Sequence, residues 1–213
     1  MAYRRTENVV RRLAEREQTI LDAAQSIAGE DGMGAVQIAA VAHRADIAAG
    51  TVYRYFPSKN DLVAEMIATT ADRELAAMRA AADAAPGPLS ALAGCIATFA
   101  ARALQGRRLA WALMAEPVDA GIDALRLNFR RALAAEVEKR ISTAIAGAHL
   151  PDQDARVAAP AIVGAVLEGL VGPLAPQTGT TREAVQMVTL LALRALGVVD
   201  ARARGLVAQC VLP

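Results

Sequence analysis

The chain has 213 residues, enough for one large domain or for a small head on a larger body with a proper core. A formal charge of +1 gives no global attraction to nucleic acid or acidic membranes, so any such binding has to come from a local arrangement of charges. Two cysteines, Cys95 and Cys210, lack metal-like spacing and fit a reducing, cytoplasmic compartment, and the opening MAYRRTENVVRRLAER has no apolar core of signal-peptide length.

Hydrophobic residues make up 54% of the chain, with abundant Ala and few alternating β-branched runs, a mixture that favours helices. Arg4, Arg5, Arg11, Arg12 and Arg16 against Glu7 and Glu15 form a basic arm just before the first helix. It suits a DNA backbone or minor groove, or serves only as a solubilising tail. Ile20, Ala24, Ile27 and Ala28 give the apolar stripe of the first helix, which Gly29 and Gly32 close. Ile38, Val41 and Ala42 mark a short second helix. After the turn Ala45-Asp46-Ile47 a third begins near Ala49, with Val52 and Phe56 on its inner face, and Pro57 ends it. Ser58 with Asp61 resembles a capping box, so a long fourth helix is expected from Lys59 towards Ala85, stopping at Pro86-Gly87-Pro88.

Further helices are expected over Leu89 to Gln105, Arg107 to Glu116, Ala120 to Ala146, Gln153 to Val171 and Thr181 to Leu196. Asp119 and Asp152 are the expected N-caps, and Thr180 with Glu183 repeats the capping-box spacing. Val157 to Ala175 is nearly all apolar or small, yet Glu168, Pro160, Pro173 and the missing basic flank make it a buried interface helix rather than a membrane span. The chain therefore reads as all-α: a three-helix head joined by one long helix to a larger helical bundle, with the domains set at 1–63 and 64–213.

The densest chemistry is GTVYRYFPSK, Gly50 to Lys59, in a chain only 3% aromatic. With Val52 and Phe56 inward, Gly50, Thr51 and Arg54 share the outer face and Tyr53 and Tyr55 flank it. A helix with a slim N-terminal end, one long cation and flanking phenols can enter a major groove while its edges touch phosphates, and Lys59 adds a cation at the start of the next helix. The alternative is that the rings only fill a small core. Residues 1–63 hold eight Lys or Arg and eight Asp or Glu, so their net charge is zero and the signal lies in placement.

Ile20 to Leu62, above all IAAVAHRADIAAGTVYRYFPSKNDL, resembles the helix-turn-helix head of the TetR (tetracycline repressor) family of bacterial regulators through its Gly-Thr-apolar-Tyr-x-x-Phe-x-Ser-Lys core. The resemblance implies that Thr51, Tyr53, Tyr55 and Lys59 hold DNA phosphates, that Arg44, Ala49, Gly50 and Arg54 approach bases, and that Val52, Phe56, Ile38 and Val41 are core. Two positions depart from the pattern. Asp46 stands where Gly is usual in the turn, and tolerates a left-handed conformation; Ala48 replaces the Ser that caps the reading helix, a loss of about 1 kcal/mol. The family's layout further implies a repressor that works as a homodimer on double-stranded, palindromic operator DNA and is released by a small apolar or amphipathic effector; no cofactor, metal or membrane partner is expected.

In the larger part, Ala161, Ala165 and Gly169 recur at i, i+4, i+8 as a smooth face, while Val188, Leu191 and Ala195 supply an apolar stripe on the neighbouring helix. These two helices form either a dimer's four-helix interface or an intramolecular bundle. Phe99, Trp111, Met114, Leu125 and Phe129 line an apolar pocket with Glu116, Arg126, Asn128 or Glu168 as polar anchors, or else simply fill the core. Glu168 poses a puzzle, because apolar neighbours suggest burial and a buried carboxylate needs a partner. For catalysis little is available: two histidines, unpaired cysteines, and no Gly-rich phosphate loop or metal-ligand spacing. A non-catalytic helical binding or adaptor protein is the competing class.

Overall fold

The structure is a computed structural model, and it describes residues 7–116, 120–176 and 179–212. Ten α-helices run through the described residues: α1 Glu7–Asp31, α2 Ile38–Arg44, α3 Ala49–Tyr55, α4 Lys59–Asp83, α5 Pro88–Gln105, α6 Arg107–Met114, α7 Ala120–Ala146, α8 Ala155–Val166, α9 Thr181–Ala195 and α10 Asp200–Gln209. A 3-10 turn, Met33–Ala35, joins α1 to α2, and α8 continues as a π-helical turn over Leu167–Val171. No strand occurs among the described residues.

Three sequence expectations are corrected here. The arm from residue 7 is not a tail before α1 but its first turns, rich in strong helix formers and carrying an Arg11–Glu15 pair at 3.6 Å. Arg4 and Arg5 lie outside the described residues. Gly29 does not close α1. It sits inside the helix, where a Cβ would come within 3.5 Å of Leu109, and the stop is Gly32, whose φ of +88° needs a glycine. The cap of α8 is Asp154 rather than Asp152, its carboxylate accepting the Arg156 N–H at 2.9 Å, whereas Ser58 and Thr180 cap α4 and α9 as expected. Asp119 lies outside the described residues. Helix α10 had no expectation: only Ala203 and Val207 of it are buried, too faint a stripe to read.

The molecule is organised around α5. Every residue from Cys95 to Ala101 is buried, which a helix tolerates only when neighbours cover all its sides. Helices α4, α7 and α9 supply that cover, and Gly94 lets α4 close in, since a Cβ there would stand 3.3 Å from the Ala81 carbonyl. Burial pushes the Cys95 thiol up to about 12, so it is an inert core group.

Ion pairs fix the C-terminal half of α4 to the body. Arg102 of α5 grips Glu74 at 2.7 and 2.8 Å, and Glu136 of α7, only 5% exposed, accepts from Arg79 at 2.9 Å and from Arg140 at 2.8 Å. Burial alone would raise the Glu136 carboxyl, but the Arg79 and Arg140 hydrogen bonds outweigh it and hold it below the ordinary carboxylate range.

On α8 and α9 the outward face differs from expectation at one position. Ala161 and Gly169 are exposed and Ala165 half-buried, and Leu191 and Ala195 are exposed, but Val188 turns into the core and Met187 takes its place outside. Among the described residues no single helix is long and apolar enough to cross a membrane; α5 and α6 reach that length only jointly, across a 105° bend.

Candidate functional site

Helices α2 and α3 meet through a tight turn. Ile47 N–H reaches back to the Ala42 carbonyl at 3.0 Å, Asp46 N–H to His43 at 3.2 Å, and Asp46 takes φ +52°. An acidic side chain in the left-handed region thus does the work of glycine. Val41 and Val52 are fully buried, and Ile38 and Phe56 nearly so, which locks α3 onto α2 and presents its opposite face. On that face Ala49, Gly50, Tyr53 and Arg54 are exposed, with Thr51, Tyr55 and Lys59 half-buried at its margins. Ala48 leaves the N-terminus of α3 without a side-chain cap. A Cβ built on Gly50 meets nothing within 4 Å. No internal packing therefore demands glycine there.

Arg44 behaves differently from the others. Both its terminal nitrogens grip Glu30 of α1 at 2.7 Å, and Nη1 also donates to Ser26 Oγ at 2.5 Å. These hydrogen bonds from Arg44 and Ser26 bring the Glu30 carboxyl down to about 2. The side chain braces α2 against α1.

In the body, a cavity of about 70 Å³ lies between α4, α5, α6 and α7. Phe99, Leu113, Met114 and Phe129 form its apolar wall, and Thr70, Glu74 and Arg102 give it one polar end. The expected pocket is therefore partly assembled: Phe99, Met114 and Phe129 line this cavity, but Trp111, Leu125, Glu116, Arg126 and Glu168 do not. Trp111 borders an open surface groove with Arg107, Arg108 and Pro173. Leu125 is half-buried beside the core, Asn128 is exposed, and Glu168 is exposed on the α8 face, which removes the puzzle of its missing partner. Arg126 is 1% exposed and donates to the main-chain carbonyls of Ala112 and Glu116, so it ties α7 to the end of α6. The Glu116 side chain points to the head and accepts from the Met33 N–H. Among the described residues no cluster of three His, Cys, Asp or Glu could hold a metal ion.

Residues 20–66 match the family model described as bacterial regulatory proteins, tetR family. The head belongs to the TetR family. Over 59 residues the chain is 51% identical to the HTH-type transcriptional repressor KstR of Rhodococcus jostii (strain RHA1), covering 28% of either protein. KstR of Mycobacterium tuberculosis is 59% identical over 49 residues, 23% of this chain and 22% of that one. The match thus spans under a third of the curated relatives' length. In fold the chain is similar to the fatty acid degradation regulator FadR from Bacillus halodurans, at TM-score 0.75 and 18% identity over 86% of this chain and 97% of that one. RolR in complex with resorcinol is similar at TM-score 0.67 and 20% identity, covering 94% and 98%. FadR from Bacillus subtilis in complex with stearoyl-CoA gives 0.73 and 18%, covering 85% and 98%.

The candidate residues of the head lie in one short stretch, whereas the residues missed by sequence reading all need distant partners. Thr70 and Glu74 lie between Met66 and Met78 on a stripe with four-residue spacing. Two polar residues interrupting an apolar stripe was the available signal. Its meaning appears only when Arg102 and the rings of Phe99 and Phe129 arrive from other helices.

Proposed function

We propose that the chain is a transcription regulator of the TetR type: a homodimer that holds a palindromic operator, represses from it in the cytoplasm, catalyses no reaction, and is released by a small effector. In this reading residues 1–63 contact DNA and residues 64–213 dimerise and bind the effector. Ala49, Gly50 and Arg54 approach base edges, while Thr51, Tyr53, Tyr55 and Lys59 hold phosphates. Arg44 joins them only by leaving Glu30. The observation that carries the reading is the outer face of α3, where an exposed glycine, a cation and a phenol stand together with no internal role. The test is to enrich genomic fragments with the purified protein and repeat the binding by gel shift against length-matched mixed DNA; no enrichment at physiological salt would sink the proposal.

Dimerisation runs through the outward face of α8 and α9. Ala161, Ala165 and Gly169 allow close backbone approach, and Met187 and Leu191, each 57% exposed, supply apolar area that a monomer leaves in water. Two heads then reach successive major grooves about 34 Å apart. Effector binding favours a body conformation in which that spacing is lost.

The cavity favours a compact, neutral molecule with one polar end. Arg102 is already neutralised by Glu74, so an anion would have to displace a bidentate carboxylate. Resorcinol, the ligand in the RolR structure, is a suitable first probe. If compounds of that size neither shift Trp111 emission nor release DNA, the compact-effector reading is wrong.

A further inference from the structure

One carboxylate fastens the end of α6 to the head. Glu116 Oε2 accepts the Met33 N–H at 2.9 Å, at the start of the 3-10 turn that leads into α2, and Oε1 accepts Arg108 Nη2 at 3.1 Å. The fit is close. A Cβ on Gly32 would lie 2.2 Å from Arg108 Nη2 and 2.6 Å from Glu116 Oε1, so a side chain there would push the two ends of this ion pair aside, and the φ of +88° favours glycine in its own right. Behind the carboxylate, buried Arg126 fixes the main chain of α6 at Ala112 and Glu116.

The same short helix forms a wall of the cavity. Leu109 faces the cavity and also lies against Gly29 of α1. A second contact runs in parallel: Gln25 of α1 donates to Thr70 Oγ1 at 3.0 Å, and Thr70 is itself a cavity residue. Helix α1 therefore touches the back of two cavity-lining side chains, and the Met33–Glu116 bond closes the set at the far end of α6.

We infer that Glu116 is a positioning residue that latches the head to α6, so that the orientation of α3 and the state of the cavity wall are one equilibrium. The inference rests on the DNA-binding reading above. A head whose main core stays packed by Val41, Val52 and Phe56 does not need this bond to fold, but it does need it to hold one angle on the body. Two heads that must meet successive grooves are sensitive to that angle. Coupling is reciprocal: if α6 sets the head, DNA that fixes the head must perturb α6. Trp111, the only tryptophan, reports this directly, because its carbonyl accepts the Glu116 N–H at 3.0 Å.

The experiment titrates a duplex enriched by the native protein into native, Glu116→Gln and Glu116→Ala proteins, following Trp111 emission and DNA affinity together. Native protein is expected to change its emission on DNA binding. Glu116→Ala is expected to bind DNA about 5- to 150-fold more weakly, with the emission change lost, and Glu116→Gln, which keeps an acceptor for Met33, to fall between them. Amide exchange at Met33 is expected to quicken in Glu116→Ala while Val52 stays protected. Should Glu116→Ala fail to fold, Arg108→Ala, which removes the cation that orients the Glu116 carboxylate towards Met33, is expected to loosen the latch and so to weaken DNA binding and diminish the emission change, though less than Glu116→Ala. Full-strength DNA binding with a native emission change in these variants overturns the latch; native protein that binds no duplex overturns the DNA-binding reading instead.

Discussion

Gly50→Ala separates what the head needs to fold from what α3 needs to meet DNA. Glycine in a helix costs about 0.5 to 1 kcal/mol relative to alanine, and at Gly50 an added Cβ would find nothing within 4 Å. The free protein is therefore expected to gain up to about 1 kcal/mol, a rise of about 2 to 4 °C in melting temperature for a chain of this size. DNA binding is expected to move the other way. A methyl group forced into a close-packed contact costs about 1 to 3 kcal/mol, so each head would lose about 5- to 150-fold in affinity. Thermal unfolding gives the first quantity, and gel shift on an enriched duplex at fixed salt gives the second. A variant that is more stable and binds DNA as well as the native protein would show that no base or phosphate approaches Gly50. A destabilised variant would show that glycine serves the fold, and the argument for this face would lose its main support.

Arg54→Ala is expected to cost about 1 to 3 kcal/mol and to relax preference at one position per half-site, whereas Lys59→Ala weakens all duplexes alike and reduces the salt slope by about one per lost contact; single-base duplex variants at several salt concentrations distinguish them. Ala165→Glu places a charge on the smooth face of α8 and is expected to cost about 3 to 5 kcal/mol of association, read as a monomer in sedimentation. Glu30 titrates at about 2 when folded against an ordinary 4.5, so its pairing with Arg44 stabilises the head above pH 4.5 and that contribution is lost as pH falls towards 2. Glu30→Gln is expected to flatten the acid limb of the stability curve over that window, as measured by denaturant unfolding.

The head was legible because its determinants are local. Ile38 with Val41, and Val52 with Phe56, fall at helical spacing, Pro57 and Ser58 mark a stop and a start, and Asp46 sits where only a few residue types take a positive φ, so a stretch of 25 residues contains both the fold and its exposed face. Arg44 was the exception within it. Its partner Glu30 lies 14 residues away on another helix, and neither spacing nor composition announces that pair. The same limit explains α1, whose polar first turns carry helix-forming residues but no buried stripe to mark where the helix begins.

Glu168 and Glu116 show the body's illegibility in opposite directions. Both were expected as polar anchors of a pocket, and Glu168, among apolar neighbours, also as a buried carboxylate. For Glu168 the correction was already in the periodicity, since positions 161, 165 and 168 follow i, i+4, i+7, and the face that makes Ala161 and Ala165 outward also carries the carboxylate outward. Burial would otherwise have imposed a desolvation cost on that carboxylate. For Glu116 no local pattern could have sufficed, because its acceptor role is set by a backbone N–H 83 residues away and by a glycine that makes room for it. A side chain can be assigned from sequence when its partner lies within a helical turn or two. Where the partner belongs to another helix the chemistry is real but unwritten locally, and in this fold such partners are the ones that join the cavity to the head.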